Sequence, residues 1–259
     1  MNKTFYEKMM AQEYAISKGG PHKQVWEWIK EKQLTVCPSF VGNKYEESKL
    51  RLMVVGRAVN GWEVDTARCT TLKNTLDMIL QQENRFEDVV KPEVFYRDPK
   101  TKEIKSYSYK KSRFWRLIQN ILEEAGERED FHQRIVWSNL YKVAPYVTGN
   151  PAWSLIKPNM QTYIDCLIDE IRTYNPTHIL FITGMDYLNP WVKEPQFGEH
   201  LGIGRKNQTN FENGQYETGI FEGRKIVVCG RPEGKSHQAI SEMALEILQQ
   251  FGYSKPAST

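Results

Sequence analysis

The stretch PNMQTYIDCLIDEIRTYNPTHILFITG, residues 158–184, sets a helix pattern, a break and a buried-strand pattern in direct succession. Met160, Tyr163, Ile164, Leu167, Ile168 and Ile171 recur at i, i+3, i+4, i+7, i+8 and i+11, the spacing of one helix face. Pro158 fits the first turn of that helix, where a missing N–H leaves no bond unmade. His178–Thr183 (HILFIT) then reads as a strand, and Gly184 ends it.

The same alternation extends in both directions. Upstream, Leu50–Val55 (LRLMVV) ends in Gly56, and Ile135–Leu140 is a second strand; downstream, Lys225–Cys229 (KIVVC) ends in Gly230. Helical spacing separates them at Thr71–Gln82, at Phe114–Glu124 with Gly126 as its stop, and after the last strand at Ser236–Phe251. Apolar strands alternating with helices predict an α/β protein: three layers, α/β/α, around a central four-stranded, mostly parallel sheet. The glycine-rich stretch Phe197–Gly223 predicts loops or a hairpin, with Asn213-Gly214 as its turn. Two amphipathic segments, Phe5–Ser17 and His22–Lys32, are parted by Gly19-Gly20-Pro21. Residues 1–48 therefore read as an N-terminal helical extension of a single domain spanning 1–259.

Hydrophobic residues make up 40% and charged residues 26% of the 259, values of a globular chain. No run of apolar residues is long enough to span a bilayer, and Met1–Ser17 lacks a signal peptide's apolar core. Cytoplasmic residence is the expectation. Cys37, Cys69, Cys166 and Cys229 stand far apart with no paired-ligand spacing, so neither a disulfide framework nor a metal centre is expected. Charge is unevenly spread. Between Arg97 and Arg116 eight basic residues face two acids, so this segment is strongly positive although the whole chain carries only +3. Tyr107, Tyr109, Phe114 and Trp115 lie among those charges, a mixture that suits a phosphate backbone with unstacked bases. A solvated surface loop leading into a helix with core aromatics would look the same.

In a parallel sheet, ligands bind at the carboxyl ends of the strands. The loops concerned are Gly56–Trp62, Tyr141–Pro145, Gly184–Asp186 and Gly230–His237. Each has glycine or proline close behind its strand, where the chain turns sharply and backbone can approach a ligand. Arg57, Asn60, Asn139, Arg231 and His237 gather anion-holding and hydrogen-bonding groups there, as a nucleotide requires. Gly230–Ser236 lacks the residue order of a P-loop.

In order and spacing these segments resemble the uracil-DNA glycosylase superfamily. MVVGRAVNGW (53–62) resembles its G-x-[D/N/A]-P loop, which positions the hydrolytic water. SRFWRLIQNILEEAG (112–126) is similar to a segment of the mismatch-specific branch. WSNLYKVAP (137–145) and residues 157–184 are similar to the thermophilic iron–sulfur branch, and GRPEGKSHQ (230–238) resembles the last loop. The resemblance covers about Leu50–Leu248 and implies a divergent, cofactor-free member that hydrolyses the N-glycosidic bond of a flipped uracil or related base. DNA, single-stranded or damaged duplex, is the implied partner, met by a monomer. Of the cluster cysteines only Cys166 has a counterpart, so no cluster is implied.

The resemblance assigns base binding to Gly56, Arg57, Ala58, Trp62 and Asn139. Asn139 offers a carbonyl and an NH₂ together, the pair that reads an amide-like base edge. Trp62 is a candidate stacking platform or a core residue. Ala58 stands where an acid or asparagine is common, and Val59 replaces the proline. Asn60, Glu63 and Asp65 are the alternative candidates for holding water, and the two acids could equally support the helix that follows. Arg231 occupies the histidine position of the last loop. Arg231, Lys235 and Ser236 are candidate phosphate contacts at a helix start, and His237 is a candidate for stabilising a departing base. Lys142 reads as a surface or phosphate-facing residue. Ala58 and Arg231 also support a second reading, a non-catalytic module that binds nucleic acid or a nucleotide on the same fold. A third reading is an unrelated α/β enzyme of a phosphorylated small molecule.

Overall fold

The computed structural model describes residues 3–15, 17–32, 34–58, 70–80, 94–97, 101, 103–108, 111–145, 151–184, 203, 208–212 and 214–253. Its helices are α1 (Lys3–Ala11), α2 (Val25–Glu31), α3 (Leu72–Leu80), α4 (Arg113–Glu124), α5 (Trp153–Tyr174) and α6 (His237–Gln250). Its strands are β1 (Glu13–Tyr14), β2 (Lys23–Gln24), β3 (Leu34–Val36), β4 (Phe40–Val41), β5 (Leu52–Gly56), β6 (Val94–Arg97), β7 (Ile104–Tyr107), β8 (Ile135–Asn139), β9 (Val143–Pro145), β10 (His178–Ile182), β11 (Gln208–Phe211), β12 (Gly214–Phe221) and β13 (Arg224–Cys229).

The protein is mixed α/β. Among the described residues the main sheet has seven strands in the order β11-β12-β13-β10-β5-β8-β4, against the four expected. The four apolar strands read from the sequence are its contiguous parallel centre: β13, β10, β5 and β8 pair parallel throughout. The additions are antiparallel. β11 and β12 form a hairpin paired to β13, as the glycine-rich stretch predicts, but Gly214 opens β12 opposite Phe211 instead of lying in the turn. On the other edge the two-residue β4 pairs with β8. Residues 1–48 are thus more than a helical extension, because β4 joins the sheet and β3 pairs with β9.

Alternation along the central strands sorts side chains into two cores. Met53, Val55, Val136, Ile179, Phe181, Ile226 and Val228 pack on one face with α1, α2 and α5. Leu52, Val54, Ile135, Trp137, Leu180, Ile182, Val227 and Cys229 pack on the other with α4 and α6. Strands buried on both faces are apolar at most positions, which is why they read as runs; the buried exceptions, Ser138 and Asn139, fall at the end of β8.

Helix α5 begins at Trp153, five residues before the predicted start, and Pro158 lies inside it. Leu155 and Ile156 are buried, so the apolar face continues upstream of the proline and packing outweighs the lost backbone bond. Asn159 Nδ2 donates to Leu155 O at 2.9 Å within the same turn. Within the basic segment β7 pairs antiparallel with β6, which ends at Arg97, so the segment is not only a loop. Trp115, in α4, is core: it is buried and meets Trp137 edge-on with centroids 5.0 Å apart. No helix among the described residues is long and apolar enough to cross a membrane.

Candidate functional site

The parallel centre contains a topological switch. From β5 the chain crosses to β8 on one side, whereas from β10 it crosses to β13 on the other. Neighbouring strands whose connections leave in opposite directions open a crevice at their carboxyl ends, here between β5 and β10. Backbone bonds tie the loop starts together along this edge. Leu140 N donates to Gly56 O and Tyr141 N to Arg57 O, both at 2.9 Å, and Gly184 N donates to Cys229 O at 2.9 Å. Arg57 Nε spans the switch to Thr183 O at 2.5 Å. The structure therefore brings Gly56, Arg57, Ala58, Asn139, Gly184 and Gly230 to one edge, with Ala58 half-buried against both cores. Asn60, Trp62, Glu63 and Asp65 lie outside the described residues.

Asn139 ends β8 opposite Gly56 and is buried. Its Nδ2 donates to Cys37 Sγ at 3.0 Å. The Cys37 thiol in turn donates to Pro38 O at 3.5 Å, which leaves its sulfur lone pairs for Asn139. A Cβ added at Gly56 would stand 2.6 Å from Asn139 Oδ1. Glycine at 56 is thus what lets the carboxamide lie against β5. Gly56→Ala is expected to displace Asn139 and to cost about 1–3 kcal/mol, as overpacking in a tight site does. Chemical denaturation reads the loss, and an unchanged midpoint would show that the carboxamide yields freely.

Behind Asn139 lies a polar cluster that the sequence did not announce. Lys142 is not at the surface: it is fully buried, and its Nζ lies 2.7 Å from Glu170 Oε2 and 2.7 Å from Ser138 Oγ. Ser138 Oγ donates to the same carboxylate oxygen at 2.6 Å, and Tyr6 OH donates to Oε1 at 2.8 Å. Two further oxygens close the cluster on the α1 side, where Ser39 N donates to Tyr6 OH at 3.2 Å and Ser39 Oγ meets Tyr174 OH at 3.2 Å. The loop that carries Lys142 runs into β9, which pairs with β3, and the buried ammonium faces Glu170 of α5 and Ser138 of β8. The signal for Glu170 was available: it lies seven residues after Tyr163 and four before Tyr174, on the apolar face of α5. An acid there needs a buried partner. Nothing local marked Lys142 as that partner.

Burial, reinforced by the Glu170 charge, raises the Tyr6 phenol well above its ordinary value. Burial likewise pushes the Cys37 and Cys166 thiols up to about 12, so both are protonated and unreactive at neutral pH. A pocket beside the cluster, lined by Tyr6, Ser39, Glu170 and Tyr174 among others, has room for scarcely one water molecule. Among the described residues no group of three His, Cys, Asp or Glu side chains is arranged to hold a metal ion.

The loop after β13 is a turn closed by Lys235 N donating to Pro232 O at 3.3 Å, with Gly234 at φ +81°. Ser236 caps α6, its Oγ accepting from Ala239 N at 3.2 Å, and His237 is exposed in the first helical position. Arg231 forms an ion pair with Glu233, both about half exposed. The phosphate candidates are thus at a helix start, but the arginine already has an acid partner. Comparison of the chain with protein-family models and with curated proteins finds no match.

Proposed function

We propose that the carboxyl edge between β5 and β10 binds an extruded nucleobase and that the protein is a divergent N-glycosyl hydrolase acting on uracil or a related base in DNA. The observation that carries this reading is the gathering of four strand-end loops, with Gly56 and Asn139 face to face, at the topological switch of a parallel sheet. The motif order adds the kind of ligand. In this mechanism Lys and Arg side chains hold the strand, and Arg231, Lys235 and the N-terminus of α6 meet a phosphate. Asn139 holds the base while the glycosidic bond stretches, and water held by Asp65, Glu63 or Asn60 completes hydrolysis.

A second reading, a binding module without catalysis, draws support from a specific observation. The Asn139 amide is occupied by Cys37, Arg231 is paired with Glu233, and Ala58 brings no acid or amide to the edge. Base release separates the two. Oligonucleotides containing uracil, hypoxanthine or a G·U mismatch, single- and double-stranded, are incubated with the purified chain. Release is expected to fall about 10- to 100-fold in Asn139→Ala, the worth of a two-point amide contact to a base, and to fall in Asp65→Asn. Full activity in both variants would sink the catalytic assignment; DNA binding without release from any substrate would establish the binding module.

A further inference from the structure

An ion pair as deeply buried as Lys142–Glu170 needs a reason. Two apolar side chains of similar volume would hold the same space at no loss of stability, and often with a gain. Its placement supplies one. The cluster draws on five separate parts of the chain: α1 through Tyr6, the 37–39 segment, the end of β8, the loop after β8, and α5. Its lysine lies three residues beyond Asn139, on the loop that leaves the carboxyl edge.

A continuous path leads from the pair to the edge. Glu170 holds the Lys142 ammonium, which fixes the loop that β8 feeds. The Lys142 carbonyl accepts from Cys37 N at 2.9 Å and fixes the backbone of that residue. Cys37 Sγ, its proton given to Pro38 O, accepts from Asn139 Nδ2. A sulfur placed so can only be met by the NH₂ end of the carboxamide, so the oxygen end is turned towards Gly56.

We propose that Glu170 and Lys142 are positioning residues: acting through Cys37, they set the orientation of the Asn139 carboxamide at the carboxyl edge. The inference rests on the reading of that edge as the ligand site only for its consequence on activity; the orientation itself is a property of the free protein. Neither residue touches a ligand. The edge is thereby organised before any ligand arrives, which removes the ordering cost from the binding step.

The test uses the full chain labelled with ¹⁵N. The side-chain NH₂ resonances of Asn139 are assigned by their disappearance in Asn139→Ala, and their exchange with water is measured. Two variants are compared with the parent protein. K142M/E170M removes both charges together and leaves neither buried alone, and Cys37→Ala removes the sulfur while leaving the ion pair in place. Both are expected to shift the Asn139 pair and to speed its exchange roughly tenfold or more, the loss of one net hydrogen bond, while the amide of Ile226 in β13 stays unchanged. A purely structural role would lower stability without singling out Asn139. Unaltered Asn139 resonances in either folded variant overturn the proposal, and should the double variant not fold, K142Q/E170Q, which removes both charges but keeps hydrogen-bonding side chains, takes its place. Base release is then measured on the same samples, with a fall in kcat at unchanged DNA affinity expected in both variants. If the parent protein releases no base yet the resonances move as stated, the positioning role stands and the hydrolase reading falls.

Discussion

Lys142→Ala is expected to be the most damaging single change in the described core, lowering the free energy of unfolding by about 3–5 kcal/mol. The size follows from what is left behind. Glu170 is buried in α5, and without the ammonium its carboxylate keeps only the hydroxyls of Tyr6 and Ser138. A buried charge without its counter-ion forfeits hydration and receives no Coulombic return. Domains of this kind are stable by about 5–15 kcal/mol, so the loss is a large share of the whole. Urea titration of the variant against the parent chain measures it. In the double-mutant cycle with Glu170→Ala the two losses are expected to be strongly non-additive, because the second substitution removes the charge that the first left unpaired. A loss below about 1 kcal/mol, the range of exposed pairs, would show that water reaches this pair.

The second large effect is expected at Gly42, where the residue following β4 lies flat on the segment entering β8. A Cβ there would overlap the backbone of Gln133 itself, which cannot swing aside as a side chain can. Three bonds hold the two segments together: Gly42 N to Ile135 O at 3.0 Å, Lys44 N to Gln133 O at 2.7 Å, and Asn43 N to Gln133 Oε1 at 2.9 Å. Gly42→Ala must separate the segments and strain or break these bonds, at a cost of about 3 kcal/mol or more. For a chain of this size that corresponds to a fall in thermal midpoint of roughly 6–12 °C. A scan showing a change within about 2 °C would mean that the edge accommodates a methyl group and that β4 is loosely held. The required glycine is a matter of close approach, since its φ is not in the left-handed region.

The candidate site was legible in the sequence to the extent that it is made of strand ends. Gly56, Asn139, Gly184 and Gly230 were placed correctly at one edge because each follows an apolar run, and parallel strands bring their carboxyl ends together. Ser236 was legible as a helix start, and its hydroxyl is the cap of α6. The reading of Lys142 failed for the opposite reason. A lysine three residues past a strand looks solvated unless the acid that neutralises it is known, and that acid is on another element. The place of Pro158 failed because local backbone preference was weighed without the burial of Leu155 and Ile156, which only the packed structure supplies.

By itself, then, the sequence determined that the protein is α/β, which runs are its central strands, which helices cover them and where the chain turns at their ends. Period and punctuation are local properties, readable within about ten residues. Only the tertiary structure decided that the sheet of the described residues has seven strands, that Phe40–Val41 enter it, that Asn139 is held by Cys37, and that Lys142 and Glu170 are buried together. Each of these joins positions far apart in the chain, from 28 residues for the ion pair to 102 for Asn139 and Cys37 and 164 for Tyr6 and Glu170. No periodicity encodes such pairings, because they exist only once the packed layers have taken the water away and left each buried polar group with the one partner within reach.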